Sequence, residues 1–295
     1  MKTAFIVYPW DYSRIAAPWT IGNNLTDFFH KNGWPVKNFD WRDTLEIFPH
    51  SEDDIILGHP HNNDNMIFNK SYLNFKHRYA IMPFNNSEPG LYSRIAKNCD
   101  KFFGICGKPW HDKLHKISNA VRLDIAIDHD KFPRIKKDFN PPGRRKAIYI
   151  GCGLPCKNPE FLGQIAQRVE LTHVGHDTIR GANNIGYVQD IRSIFSFIAE
   201  HDFVIAASRY DANPTYVLEC MSLGLIPICN EESGYPREDC IRILLDDIKI
   251  FEITMRQMQM RDDLKKLQDY FCMKAKFYTW ERFNSTIEQN VMSVN

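Results

Sequence analysis

The stretch Ser208–Glu238, SRYDANPTYVLECMSLGLIPICNEESGYPRE, decides the fold class of this chain. An apolar run, Phe203–Ala206, precedes it, and a second one, Ile226–Cys229, lies within it. Between the two runs we predict a helix over Pro214–Ser222, with Gly224 as its stop signal. Short apolar strands joined through a helix are typical of a parallel sheet with helices on both faces.

The start of this predicted helix has the features of an anion site. Asn213 is a suitable N-cap, and Pro214 suits the first helical position. The backbone amides of Thr215 and Tyr216 then lack partners within the helix, and the helix dipole favours a negative charge beside them. In an open parallel sheet this position is the ligand crevice, so we expect a phosphate there.

Two acids accompany the helix at a separation of eight positions, Asp211 before it and Glu219 within it. Glu219 has Leu218 and Cys220 as neighbours in an otherwise apolar segment, so its carboxylate needs either solvent or polar partners. Taken alone, acids near a helix start are common for dipole reasons.

The rest of the chain repeats the same alternation of apolar runs and helical patterns, and no internal repeat is evident. Further strands are predicted over Lys2–Pro9, Asp54–Leu57, Tyr79–Pro83, Lys101–Ile105, Lys146–Ile150 and Leu171–Val174. Further helices are predicted over Thr20–Lys31, Leu91–Lys97, Lys108–Lys116, Pro159–Arg168, Ile191–Glu200 and most of the chain from Lys249 onward.

A basic segment rich in Pro and Gly, Phe132–Lys146, interrupts this alternation. We interpret it as a linker, which gives domains at 1–135 and 136–270 and a terminal segment at 271–295. Its positive charge would suit peripheral contact with an anionic membrane surface. The alternative is a solvated flexible connection.

Composition excludes several classes of protein. The 295 residues are 43% hydrophobic and carry a net charge of +1, so no overall field favours nucleic acid. The apolar run Ala4–Tyr8 is too short for a signal peptide, and no stretch approaches the ~18 apolar residues of a membrane span. We therefore expect a cytoplasmic protein.

No metal is expected. Cys152 and Cys156 have three residues between them, but no second pair completes a zinc site. His111 and His115 lie one helical turn apart without an acidic partner, so a solvated helix face is the simpler interpretation.

The spacing of Asp211 and Glu219, together with the segment LECMSLGLIP, resembles the donor-binding signature of retaining GT-B glycosyltransferases, in particular the family 4-like group. The resemblance implies two Rossmann-like domains facing each other across a cleft, with a C-terminal helix crossing back to the first domain. It also implies that Asp211 contacts the donor sugar, that Glu219 holds the nucleotide ribose, and that the backbone around Asn213–Tyr216 holds the diphosphate.

The resemblance extends over most of 146–283. AIYIGCGLPCKNPEFL is similar to the first strand and loop of the family's C-terminal domain, which implies phosphate contacts for Lys157 beside Gly151 and Gly153. The terminal YTWERF resembles the crossing helix. In the first domain, DDIILGHPH matches a strand that ends at the cleft, which makes His59 and His61 acceptor-side candidates, and Gly22 is a candidate for facing the donor phosphates.

These resemblances imply transfer of a sugar from a nucleotide sugar, with retention of configuration, to a glycan or lipid-linked acceptor and without a metal cofactor. Among the departures from the family pattern, Cys152 stands where the family usually has Arg, and Asp211 stands where it usually has Glu. A non-catalytic nucleotide-sugar-binding protein and a sugar-nucleotide epimerase of the same architecture are the alternatives. An NAD(P) oxidoreductase is weaker, since no full Gly-x-Gly-x-x-Gly is present.

Overall fold

The computed structural model describes residues 2–85 and 87–292 and divides the chain into two compact units. Unit 1 comprises residues 2–85, 87–106, 110–126 and 280–292, and unit 2 comprises residues 107–109 and 127–279. The chain therefore changes unit after Ala126 and again before Trp280, whereas the sequence predicted boundaries at 135 and 270.

Unit 1 is built on a six-stranded sheet in which all paired strands are parallel, in the order β2-β1-β3-β4-β5-β6. The strands β1 and β3 are buried along their whole length, which explains why they consist of unbroken apolar runs. The strand bounds are β1 Ala4–Val7, β2 Val36–Phe39, β3 Ile55–Gly58, β4 His77–Pro83, β5 Lys101–Ile105 and β6 Ala120–Leu123.

Two helices that are far apart in the sequence, Trp19–Lys31 and Trp280–Ile287, pack together within unit 1. Asn24 and Asn284 exchange side-chain hydrogen bonds of 2.7 and 3.1 Å between them, and Phe283 and Ile287 are buried. The helices are α1 Trp19–Lys31, α2 Ile67–Ser71, α3 Pro89–Lys97, α4 Lys108–Leu114, whose first two residues belong to unit 2, and α10 Trp280–Ile287.

Unit 2 repeats this architecture with a second parallel six-stranded sheet, in the order β12-β11-β10-β7-β8-β9. Its strands are β7 Ala147–Ile150, β8 Leu171–Val174, β9 Asn183–Gly186, β10 Phe203–Ala206, β11 Ile226–Cys229 and β12 Ile241–Arg242. Its helices are α5 Pro159–Ala166, α6 Phe195–Ala199, α7 Thr215–Leu223, α8 Ile248–Met260 and α9 Leu264–Ala275. The centrally placed β10 is fully buried, and α7 follows it directly.

The basic segment 132–146 is part of unit 2 and is not a solvated linker. Lys136 is 3% exposed, and its ammonium lies 3.1 Å from a carboxylate oxygen of the buried Asp202. Arg145 is also buried and donates to the carbonyl oxygens of Met258 and Arg261, at the end of α8. These two charges therefore hold the segment against the unit, which corrects both the predicted linker and the first domain boundary.

Two local predictions are also wrong. The helix α7 begins at Thr215, and Asn213 is not its N-cap, since its side chain makes no cap hydrogen bond and its φ of 56° lies in the left-handed region. The predicted helix Ile191–Glu200 is a 3₁₀ turn over Ile191–Ile194 followed by the five-residue α6.

Among the described residues, no helix combines the length and the apolar character that crossing a bilayer requires.

Candidate functional site

The N-terminus of α7 lies at the carboxyl edge of the unit 2 sheet, where β10 ends and α7 follows. The first backbone hydrogen bond of this turn runs from the amide of Val217 to the carbonyl of Pro214, at 3.1 Å. The amides of Thr215 and Tyr216 therefore have no partner within the helix, and the helix dipole adds partial positive charge beside them. This arrangement can bind an anion.

Asn213 brings a polar side chain to this helix start. It is 2% exposed, and its amide nitrogen donates to the carbonyl of Gly234 at 3.2 Å. Its Oδ1 is buried and meets no hydrogen-bond donor within residues 2–85 and 87–292. A buried carbonyl oxygen without a donor is unfavourable, so this atom is suited to accept from a ligand.

Glu219 carries the second such atom, one helical turn after Thr215. The residue is 6% exposed, and its Oε1 is buried without a hydrogen-bond donor from the described part of the chain. Burial raises the pKa of Glu219 to about 7, and a hydrogen bond with the Thr215 side chain opposes the increase. Glu219 is thus an acceptor of hydrogen bonds whose charge changes near neutral pH.

Asp211 and Lys157 form a close ion pair across 54 positions of sequence. Burial lowers the pKa of Lys157, but the Asp211 carboxylate raises it by more, so the ammonium remains charged. Asp211 Oδ2 also accepts from Ser208 Oγ at 3.2 Å, and Oδ1 accepts from the amide of Ala212 at 2.9 Å. A carboxylate accepts about four hydrogen bonds, so roughly one remains for a ligand.

Gly151 and Gly153, which the resemblance placed at the donor phosphates, follow β7, and their backbone groups form hydrogen bonds within the protein. The amide of Gly151 donates to Val174 at 2.9 Å, and its carbonyl accepts from the His173 ring at 2.8 Å. The amide of Gly153 donates to Asp177 at 3.0 Å. Neither glycine offers a free amide to a phosphate in this arrangement, so their contacts with a donor stay predictions.

Tyr216 contributes its backbone and not its side chain to the helix start. Its hydroxyl donates to the carbonyl of Ile205 at 3.0 Å, and its ring packs edge-on against Tyr149. Burial raises the pKa of Tyr216 well above its ordinary value. The side chain thus fixes α7 on β10.

Three polar residues that the sequence analysis missed support the loops of this site. Ser208 contacts Asp211 directly, Asn230 donates to the carbonyl of Ser208 at 2.7 Å, and Ser233 donates to the carbonyl of Ala206 at 3.1 Å. All three are fully buried. No motif distinguishes them, although a serine and an asparagine that directly follow apolar strands are a weak signal for such a role.

The histidines of unit 1, His59 and His61, lie together at the carboxyl end of β3. Their ring centroids are 4.8 Å apart, and Trp41 packs edge-on against both rings at 4.7 and 5.2 Å. Nδ1 of His59 and Nε2 of His61 are buried, and neither has a hydrogen-bond partner in the described residues. Burial lowers the pKa of His59 to about 3 and also lowers that of His61, so both rings are neutral at pH 7.

Gly22 lies in the first turn of α1, within unit 1. Its amide donates to the carbonyl of Pro18 at 3.2 Å, and a Cβ at this position would overlap the carbonyl oxygen of Pro9. Close packing of α1 against the loop after β1 therefore accounts for the glycine. A contact with donor phosphates stays a prediction.

A metal site was not expected from the sequence. Residues 2–85 and 87–292 contain no group of three or more His, Cys, Asp or Glu side chains arranged to hold a metal ion. His111 and His115 pack ring against ring, with centroids 3.9 Å apart.

Each unit is built on a parallel six-stranded sheet with helices, and α10 packs within unit 1. This is the GT-B fold, as the resemblance implied. No protein-family profile matches the sequence, and no curated protein is significantly similar to it.

Solved structures match the whole chain at low identity. Sucrose-phosphate synthase from Thermosynechococcus elongatus is 12% identical, with 98% of each chain covered and a TM-score of 0.73. HepE of Anabaena, in complex with UDP and glucose, is 11% identical with all of both chains covered and a TM-score of 0.65. The E. coli trehalose-6-phosphate protein bound with UDP-2-fluoro glucose is 10% identical with all of both chains covered and a TM-score of 0.67. At these identities the likeness establishes the fold.

Proposed function

We propose that this protein is a glycosyltransferase that uses a nucleotide sugar as its donor. The observation that carries the proposal is the pair of buried, unpartnered oxygens, Asn213 Oδ1 and Glu219 Oε1, beside the free amides at the start of α7. These hydrogen-bond-accepting oxygens lie next to an anion site. Together they suit a ligand that has a phosphate and also hydroxyl or N–H groups, and a nucleoside diphosphate sugar has both. Two proteins of the same fold carry UDP with glucose or with a glucose analogue, which favours UDP as the nucleotide.

Each group then has a role in donor binding. The amides of Thr215 and Tyr216 bind the diphosphate, and Glu219 accepts from the ribose hydroxyls. Lys157 stays charged because Asp211 raises its pKa, so it supports the negative charge that develops on the leaving diphosphate. Asp211 positions Lys157 and has about one acceptor site left for a sugar hydroxyl.

The reaction that we propose proceeds with retention of configuration. The bond between the anomeric carbon and the diphosphate oxygen breaks, and the acceptor oxygen bonds to that carbon on the same face. The acceptor proton passes to an oxygen of the leaving diphosphate, so no protein base and no metal are required. The products are a glycoside and a nucleoside diphosphate.

For the acceptor we propose a glycan or a lipid-linked sugar, with His59 and His61 as the groups of unit 1 that contact it. Their neutral rings and unpartnered nitrogens suit sugar hydroxyls, and Trp41 beside them offers an aromatic surface.

Thermal unfolding with UDP-, GDP-, ADP- and TDP-sugars tests the donor site. A ligand at 100 times its Kd stabilises the fold by roughly 2.7 kcal/mol. We expect an increase in Tm with one nucleotide family and its loss in Glu219→Ala, while Glu160→Ala, which changes an exposed glutamate of α5, keeps it. If no nucleotide sugar raises the Tm of a folded sample, the proposal is wrong. Binding without transfer to any acceptor would instead favour the non-catalytic alternative, and an inverted anomer by NMR would exclude retention.

A further inference from the structure

A cavity in unit 2 lies apart from the groups described above. It has a volume of about 540 Å³ and is formed where β11 and β12 end, by the loops that follow them and by Lys108. This volume lies within the range of sites that hold small molecules. None of the proposed donor contacts of α7, nor Asp211 or Lys157, lines it.

Two arginines in this cavity have no acidic partner in the part of the chain that the structure describes. Arg242, the last residue of β12, donates through Nη2 to the carbonyl of Tyr235 at 2.8 Å, while its Nη1 is buried and meets no acceptor among the described residues. Arg237 is exposed at the rim. Neither guanidinium forms an ion pair with any residue that the structure describes, whereas Lys108 lies 4.0 Å from Glu238. A half-buried guanidinium without a counter-charge is unfavourable, and an arriving anion relieves this.

The other walls of the cavity suit a sugar. Glu231 and Glu232 offer carboxylate oxygens, which accept hydrogen bonds from hydroxyl groups but repel a bare anion. Ile243 and Leu244 add an apolar surface, and Leu244 is 53% exposed, so the C–H face of a sugar ring would cover it.

The cavity also adjoins the start of α7 through one shared loop. The amide of Asp211 donates to the carbonyl of Glu232 at 3.1 Å, Asn213 donates to Gly234, and the hydroxyl of Tyr235 donates to the carbonyl of Pro214 at 2.8 Å. One side of this loop therefore supports α7, and its acidic residues line the cavity.

From these contacts we infer that the cavity binds an anionic sugar, one that bears a phosphate or a carboxylate, through Arg237 and Arg242. The anionic group binds the two guanidinium groups, whose planar geometry suits either a phosphate or a carboxylate. The sugar hydroxyls donate hydrogen bonds to the glutamates. Such a sugar has two sources. It is either the sugar of the donor itself, as in a nucleotide-linked sugar acid, or a separate sugar phosphate.

Calorimetric titration of the full chain tests this inference with glucose 6-phosphate, glucose, inorganic phosphate, UDP, UDP-glucose and UDP-glucuronate. We expect a charged sugar to bind at least about tenfold more tightly than its neutral counterpart, which is about 1.4 kcal/mol. Arg237→Gln, at an exposed position, should abolish this preference and leave UDP binding unchanged. Arg256→Gln, on the exposed face of α8, is the matched control and should keep the preference.

The pattern of losses identifies the source of the anion. A loss confined to UDP-glucuronate assigns the anion to the donor sugar, and a loss of glucose 6-phosphate binding assigns it to a separate sugar phosphate. Equal affinity for charged and neutral sugars, or equal effects of Arg237→Gln and Arg256→Gln, would overturn the inference. Inorganic phosphate that binds as tightly as glucose 6-phosphate would overturn the role of the sugar.

Arg242→Lys checks the buried arginine without removing its charge, and it should weaken binding of the charged sugar less than Arg242→Gln does. The inference does not rest on the proposed donor. Absence of UDP binding would refute the proposed function, while the glucose 6-phosphate titrations would still test the cavity.

Discussion

Glu219 holds its carboxyl group inside α7, where burial raises its pKa to about 7 from an ordinary 4.5. The folded protein therefore binds this proton more tightly than the unfolded chain does. The stability that follows is fully present below pH 4.5 and is lost as the pH rises through 7. In the proposed donor site, ionised Glu219 would accept hydrogen bonds from the ribose hydroxyls, so we expect nucleotide binding to depend on pH.

Glu219→Gln should remove this pH dependence, because an amide does not ionise. We expect the free energy of unfolding of the native protein, relative to the variant, to fall by about 3 kcal/mol between pH 4.5 and pH 8. Urea unfolding at several pH values measures this difference. Glu160→Gln, at an exposed position of α5, should run parallel to the native protein. Equal slopes for all three proteins would show that Glu219 does not titrate in this range.

The Lys157–Asp211 pair allows a structural role to be separated from a catalytic one. Lys157→Met leaves the buried Asp211 carboxylate without its ion-pair partner, so stability should fall by about 1–3 kcal/mol, and sugar transfer should fall with it. Lys157→Met combined with Asp211→Asn removes both charges and should recover most of the stability but none of the transfer. Denaturant unfolding and initial rates on the same samples make the comparison. Recovery of transfer in the double variant would assign Lys157 a structural role alone.

At the scale of elements, strands that consist of an unbroken apolar run could be predicted from the sequence, and strands that contain polar residues could not. The strands β10 and β11 were predicted with their observed bounds because each consists of four buried residues in a short apolar run. The strand β2, with the sequence VKNF, and the two-residue β12 lie at the sheet edges, and neither has a strand-like apolar run. The pairing of Lys157 with Asp211 was not predictable either, since it depends on how two distant loops meet.

Glycine at the start of α1 offers a test of helix docking with an internal control. Gly22→Ala adds a methyl group against the carbonyl of Pro9 and should destabilise the protein by about 1–3 kcal/mol. Gly90→Ala, in the first turn of α3, adds the same group where no atom lies within 4 Å, so it should be neutral or stabilise by up to about 1 kcal/mol. Thermal unfolding compares the two. Equal effects would mean that helix propensity, and not the contact with Pro9, determines the outcome at Gly22.

For the whole molecule, the chain begins in unit 1, builds unit 2 from residues 127–279, and returns to unit 1 at Trp280. The basic segment 132–146 is therefore not a linker between the units, because its buried residues Lys136 and Arg145 are part of the second unit. The helix α10 is likewise part of the first unit, although it follows unit 2 in the sequence. Unit 1 therefore contains residues from both sides of unit 2 in the sequence.

This order predicts that the two units respond separately to changes in their cores. Phe283→Ala removes a ring that is 1% exposed in α10 and should destabilise unit 1 by about 3–5 kcal/mol. Hydrogen exchange should then accelerate at the amides of α1 and β5, while those of β7 and β10 stay protected. Phe251→Ala, which removes a fully buried ring of α8 in unit 2, is the reciprocal control and should give the opposite pattern. If each variant exposes both sheets equally, the units unfold as one cooperative body, and α10 then stabilises the whole protein and not unit 1 alone.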